Sequence, residues 1–276
     1  MAVLAVGAIA FGFFATLSGA TSTAATPLVS TNPTVIANGE YLYNVHCSSC
    51  HAPGGYGSAK APELYNVGAA AADFYLATGR MPLYDPLAQA QKATHPFFDA
   101  GQIQALVSYV ADLPRLDHMP NSTGPGIPQI LPLCPTPRQS SASGSSAASA
   151  SSNPNCVTLS FGQQTFALNC EMCHQAVGAG GMLSKGDVVP SLQNASALLA
   201  AEAMRTGPLP MPKFGPGQLD AKQLSAVAQF VAYLNHPDNR GGLAISNFGP
   251  VAEGFVAIVI GFGFLLFVSR MIGTRA

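Results

Sequence analysis

Hydrophobic residues follow three different patterns along the 276-residue chain. At both ends they run almost without interruption. Residues 1–20 are nearly all apolar, and Val251 to Ser269 are apolar apart from Glu253. Runs of about twenty apolar residues are long enough for a helix to cross a bilayer. Two segments in the interior instead repeat at helical spacing: Ile103, Leu106, Val110 and Leu113, and Leu224, Val227, Val231 and Leu234. This period predicts amphipathic helices with one face in a core. Between them lies a stretch rich in Pro, Ser and Ala with no period at all.

The two amphipathic helices belong to an internal repeat. Gln102 to Leu113 aligns with Gln223 to Leu234, and each segment closes a copy that opens on a Cys-x-x-Cys-His string. Gly39 and Gly162 each stand eight residues before the first cysteine of their string, and Tyr43 and Phe166 four before it. The expected organisation is all-α: two tandem class I cytochrome c-like domains, at 35–113 and 159–236, flanked by transmembrane helices at 1–22 and 248–272. For the first of these helices a cleaved secretory signal is the rival reading, because small polar residues (Thr21 to Ala25) follow it. Arg270 and Arg275 beyond the last apolar run place that end in the cytoplasm by the positive-inside rule. Gly254, Gly261 and Gly263 either form a face for neighbouring helices or reflect ordinary glycine tolerance in membrane helices.

Residues 114–158 are expected to be a flexible linker, since such a composition cannot bury a core. Cys134 and Cys156 bracket its Ser-rich part, and a disulfide between them is expected in an oxidising compartment; the alternative is two free thiols. Only 9% of residues are charged and the net charge is −1, so nothing in the composition suggests a nucleic-acid partner.

The strings Cys47-Ser48-Ser49-Cys50-His51 and Cys170-Glu171-Met172-Cys173-His174 carry the chemistry. One helical turn separates the two thiols, so Cys47 with Cys50, and Cys170 with Cys173, can form thioethers to one haem. His51 and His174 then face the iron. A zinc site would need four ligands, and a thioredoxin-like motif needs no His after the second Cys. Farther along, Thr78-Gly79-Arg80-Met81-Pro82 and Thr206-Gly207-Pro208-Leu209-Pro210-Met211-Pro212 share Thr-Gly followed by Met-Pro. Met81 and Met211 are therefore the expected distal axial ligands, giving two covalently bound haems c with His/Met iron. This ligation suits electron transfer and leaves no open position, so no catalytic residue is expected. His95 is the competing ligand in the first copy. Arg80 and Lys213 beside the methionines are expected either to meet haem propionates or to be ordinary solvated charges. Met182 and Met204 are expected to pack around the haem.

The two strings, Thr-Gly-Arg-Met-Pro at 78–82, Met-Pro-Lys-Phe at 211–214 and Asn-Phe-Gly-Pro-Val-Ala-Glu-Gly at 247–254 together resemble the dihaem cytochrome cc subunits of actinobacterial menaquinol:cytochrome c reductases, the cytochrome bcc complexes. The resemblance implies electron flow from a Rieske iron–sulfur subunit through both haems to the copper centre of an aa3-type oxidase. It also implies a cytochrome b subunit as partner, a quinol–cytochrome c reductase (translocase) complex, and a multi-pass place in the cytoplasmic membrane with the haem domains outside. The alternatives are a dihaem subunit of another membrane oxidase or dehydrogenase, and a dihaem peroxidase.

Overall fold

A computed structural model of the chain describes residues 28–116, 124–135, 153–235, 237 and 254–273. The expected N-terminal helix at 1–22, most of the 247–254 motif and the Ser-rich part of the linker lie outside the described residues.

The first copy comprises α1 (Pro33–His46), α2 (Ser48–His51), a 3-10 turn (Pro53–Gly55), α3 (Gly68–Ala77) and α4 (Ala100–Leu116). The second comprises α5 (Leu159–Asn169), α6 (Glu171–His174), α7 (Ala197–Thr206) and α8 (Ala221–Asn235). It also contains a two-stranded antiparallel hairpin, β1 (Gly181–Met182) with β2 (Val188–Val189), which the all-α expectation did not include. Side-chain caps open the helices: Asn32 accepts from the Thr34 amide, Thr158 from Phe161 and Ser196 from Leu199. Each cap satisfies an amide that has no partner inside its helix.

Each copy is held by the crossing of its first and last helices. A Cβ at Gly39 would lie 2.1 Å from the Ala105 carbonyl oxygen, and one at Gly162 would lie 2.2 Å from that of Ala226. Both distances are well inside contact, so the backbones meet where only glycine fits. One turn on, Tyr43 packs on Tyr109 and Phe166 on Phe230, each with ring centroids 5.3 Å apart. The predicted periodic faces are the cores: Ile103, Leu106, Val110 and Leu113 are buried, as are Leu224, Val227 and Val231.

The expected flexible linker is corrected where the structure describes it. Helix α4 runs through Pro114 to Leu116, so the boundary at 114 falls inside a helix. Residues 124–135 form a strap across both domains. The Ala70 amide donates to the Pro125 carbonyl, Leu131 bonds through both backbone groups to Ser225 and Gln229, the Cys134 amide donates to the Val157 carbonyl, and the Val157 amide donates to the Pro132 carbonyl. Ile127 packs against the first core and Ile130 against the second. The segment lacks a hydrophobic period because it is an extended strap laid on two existing cores. Cys134 and Cys156 are joined by a disulfide with Cα atoms 4.9 Å apart.

The domains also pack directly, α3 against α7. Both helices are rich in alanine, and the fully buried Ala70 and Ala201 show how small the side chains on them are. Two carboxyl groups are buried between them, Asp73 on α3 and Glu202 on α7. Neither Glu202 oxygen has a hydrogen-bond partner of ordinary geometry. Burial first, and then the neighbouring Asp73, push the Glu202 carboxyl up to about 9; burial likewise raises Asp73. Glu202 is therefore protonated in the folded chain at neutral pH and ionised in the unfolded one. Stability linked to this proton is complete below the ordinary carboxylate range and is lost as pH rises toward about 9. Glu202→Gln, which cannot ionise, should flatten the fall in thermal midpoint between pH 6 and roughly pH 9 that the unmodified chain shows. An unchanged slope in the variant would remove Glu202 as its source.

Candidate functional site

Each Cys-x-x-Cys-His string lies on a single tight turn next to the core. The amides of Cys50 and His51 donate to the Cys47 carbonyl at 3.1 and 2.9 Å, and those of Cys173 and His174 donate to Cys170 at the same distances. Immediately after each histidine the chain enters the left-handed region at Ala52 (φ 62°) and Gln175 (φ 65°), and so turns back along the pocket. Gly57 and Gly180 then donate to the carbonyls of His51 and His174. Two strings that differ at both intervening residues thus take one backbone course.

The histidines are oriented from behind. Nδ1 of His51 lies 2.8 Å from the Pro62 carbonyl oxygen, and Nδ1 of His174 lies 3.2 Å from that of Pro190. A carbonyl can only accept, so Nδ1 carries the proton and Nε2 presents its lone pair to the pocket. Burial pushes the His174 imidazole down, with the Pro190 bond acting the other way, so the ring stays neutral at physiological pH. Neither proline is visible as an equivalent in the sequence. Pro62 follows its histidine by eleven residues and Pro190 by sixteen, the hairpin occupying the difference.

The methionine loops begin at the shared Thr-Gly. Gly79 (φ 64°) and Gly207 (φ 65°) both hold left-handed backbone at the end of a helix. A Cβ at Gly207 would strike Lys213 at 2.6 Å, and one at Gly79 would strike Ala93 at 2.7 Å. Glycine is required there by φ and by space together. In the first copy the Tyr75 carbonyl accepts from both Arg80 and Met81. In the second, Nη1 of Arg205 donates to the carbonyls of Phe214 and Leu219, each at 2.9 Å, and clamps the loop from below.

These elements enclose two cavities, of about 340 and 410 Å³. Cys47, His51 and Met81 line the first; Cys50 is one turn on, outside its lining. Cys170, Cys173, His174 and Met211 all line the second, with Met204 buried beside them. Both volumes lie in the range of small-molecule and cofactor pockets, roughly 300–1,000 Å³. Burial pushes the Cys47 and Cys170 thiols up to about 11, and each is raised further by the second cysteine of its string. Among the described residues no cluster of three His, Cys, Asp or Glu is arranged to hold a metal ion. The Thr206 hydroxyl at the wall of the first cavity is buried without a partner. A large apolar ring system with polar substituents, fixed through thioethers and an axial His and Met, fits this donor set.

Other sequence candidates fall outside the cavities. His95 is exposed and lines neither. His46 packs edge-on against Phe97 and Phe98. Met182 is largely exposed on the hairpin, so it does not pack in the core as expected. Arg80 is not a solvated charge: it is buried, with its guanidinium carbon 4.7 Å above the Phe74 ring. The helix from Gly254 to Gly273 has no side chain buried against the rest of the chain and is apolar enough to cross a membrane.

Comparison with known proteins agrees with this division. Residues 36–114 match the family described as cytochrome c, and residues 158–231 match that described as cytochrome C oxidase, cbb3-type, subunit III. Over 88% of its length the chain is 33% identical to the cytochrome bc1 complex cytochrome c subunit of Corynebacterium efficiens, covering 77% of that protein. The same share is 32% identical to the corresponding subunit of Mycobacterium tuberculosis, covering 79% of it. It is 31% identical to that of Corynebacterium diphtheriae, covering 82%. Cytochrome c domains of this kind bind haem c covalently.

The Arg205 clamp carries a direct expectation. Arg205→Met keeps the aliphatic stem but leaves two buried carbonyls without this donor, a loss of about 1–3 kcal/mol. Hydrogen exchange at the Phe214 amide, which donates to Met204, should accelerate in the variant while exchange in α4 stays unchanged. Equal acceleration in both domains would mean that Arg205 does not act locally on the loop.

Proposed function

The chain belongs to the family of cytochrome bc1 complex cytochrome c subunits, and from that premise we propose that it is the dihaem electron-transfer subunit of a respiratory quinol:cytochrome c reductase. The observation that carries this reading is the repetition of one cavity. In each copy a Cys-x-x-Cys-His turn, a carbonyl-bound histidine and a methionine loop converge on an apolar space of cofactor size. Cys47, Cys50, Cys170 and Cys173 form the thioethers; His51 with Met81 and His174 with Met211 are the axial pairs.

Bound haem supplies a one-electron couple, and a His/Met pair sets it at high potential. The chain's own residues do the rest. Pro62 and Pro190 hold the histidines in the tautomer that leaves Nε2 free. The methionine loops close the opposite side, and the apolar lining keeps water away. The two cavities share a wall: neighbouring residues Phe74 and Tyr75, with ring centroids 5.4 Å apart, line the second and the first respectively. This closeness supports transfer of electrons between the two haems within one chain.

The partners follow from the family's role. Electrons enter from a Rieske iron–sulfur subunit seated with a cytochrome b subunit, and leave for the copper centre of an aa3-type oxidase. The apolar helix Gly254–Gly273 anchors the chain in the cytoplasmic membrane, with Arg270 toward the cytoplasm. The haem domains then stand on the outer side, where the Cys134–Cys156 disulfide is stable. A subunit of another oxidase is the competing reading, supported by the match of residues 158–231 to a cbb3-type subunit. That match covers one domain, whereas the cytochrome bc1 relatives extend over 88% of the chain.

Purification in mild detergent should yield b-type and a-type haems and an iron–sulfur subunit together with this chain. Recovery with a dehydrogenase, or as a lone cytochrome, would contradict the assignment. Redox titration of the unmodified chain should resolve two high-potential couples. Met81→Ala and Met211→Ala should each lower one of them and leave the other in place; both couples unmoved would exclude these methionines as ligands.

A further inference from the structure

Arg80 stands next to Met81 in the chain, yet the two side chains face different cavities. Met81 lines the first, whereas Arg80 lines the second, beyond the interface between the domains. Arg80 as a whole residue is 8% exposed, and its guanidinium stacks over Phe74, which also lines the second cavity. Among the described residues no carboxylate pairs with it. Stacking on a ring offsets only part of the cost of burying a charge without a counter-ion. The balance calls for an anion in the space that Arg80 faces.

The rest of that cavity's lining points the same way. It contains no Asp or Glu, and its two permanently cationic side chains, Arg80 and Lys92, both come from the first domain. The segment that carries Lys92 is docked on the second domain by Gln89, whose side-chain amide exchanges two hydrogen bonds with the backbone of Val188, at 3.1 and 3.3 Å. The first cavity shows the reverse arrangement. It too has no carboxylate in its lining, and its permanent cation is Lys213 of the second domain, beside the unpartnered Thr206 hydroxyl.

We propose that the domains exchange cations: Arg80, assisted by Lys92, pairs with the propionate carboxylates of the haem in the second domain, and Lys213 with Thr206 serves those of the haem in the first. The inference rests on the dihaem reading above and goes beyond it, since the residue beside one haem's methionine becomes a positioning residue for the other haem. Haem binding then staples the two domains, and each domain's sequence helps set the other's potential. Removing the Arg80 charge leaves a propionate uncompensated, which favours the oxidised iron of the second haem.

The test uses the full-length holoprotein in detergent, titrated spectroelectrochemically, with the second couple assigned as the one lowered by Met211→Ala. Arg80→Gln should shift the second couple about tenfold toward the oxidised form, ~59 mV lower for a one-electron step. The first couple and its ferric sulfur–iron absorption band should stay in place, and Arg80→Lys should recover most of the shift. Lys92→Gln, on an exposed segment where folding is not at stake, should move the second couple in the same direction by about twofold, ~18 mV. A shift confined to the first couple, or no shift of the second in either glutamine variant, would overturn the exchange. Haem quantification separates this from failure of the underlying reading. Fewer than two haems per chain overturns both, whereas two haems with an unmoved second couple overturns the exchange alone.

Discussion

Everything in each domain depends on one backbone contact between its first and last helices. At Gly39 on Ala105, and at Gly162 on Ala226, no side chain separates the helices. This close crossing brings Tyr43 onto Tyr109 and Phe166 onto Phe230, and it fixes where the Cys-x-x-Cys-His turn leaves the first helix. The cavity opens beneath that turn, with Leu106 and Val110 of α4, or Val227 and Val231 of α8, as part of its wall. A domain of fewer than a hundred residues has little apolar surface to bury, so a bound macrocycle is a substantial part of such a core.

The second constraint is the interface. Alanine-rich α3 and α7 lie close enough to bury Asp73 and Glu202 between them, and the strap at 124–135 ties the same two domains from another side. A flexible tether would let the haem-bearing units drift apart and make transfer between them depend on chance encounter. The docked arrangement instead puts Phe74 and Tyr75 of a single helix into the walls of both cavities. A proton held on a buried carboxyl between two redox sites, and cations reaching across the same boundary, make the electrostatics of the sites a property of the pair.

The C-terminal helix is apolar along its length, and among the described residues none of its side chains is buried. Such a helix is at home only in lipid or against other membrane helices. Under the function proposed above, it holds the cytochrome c domains at the membrane surface. A cytochrome held in this way works at high local concentration without needing to diffuse.

Much of the site was legible from the chain alone, because covalent attachment and axial ligation demand fixed residue types at fixed short spacings. The strings at 47–51 and 170–174, the Met-Pro loops, the duplicated glycines and the apolar run from Gly254 onward are all local patterns. Local patterns survive in one dimension. What the sequence could not disclose depends on residues far apart meeting in space. Pro62 and Pro190 have no common spacing from their histidines, since only the position of a carbonyl oxygen matters. The 124–135 strap has no period, since it borrows its hydrophobic partners from two other cores. Arg80 reads in the sequence as either a propionate partner beside Met81 or a solvated charge; the packing of α3 on α7 places it in the wall of the neighbouring cavity. The candidate ligand residues were thus legible in sequence, whereas the docking of the two cytochrome c domains on each other was decided by tertiary packing, because a helix interface chooses partners by shape and not by proximity along the chain.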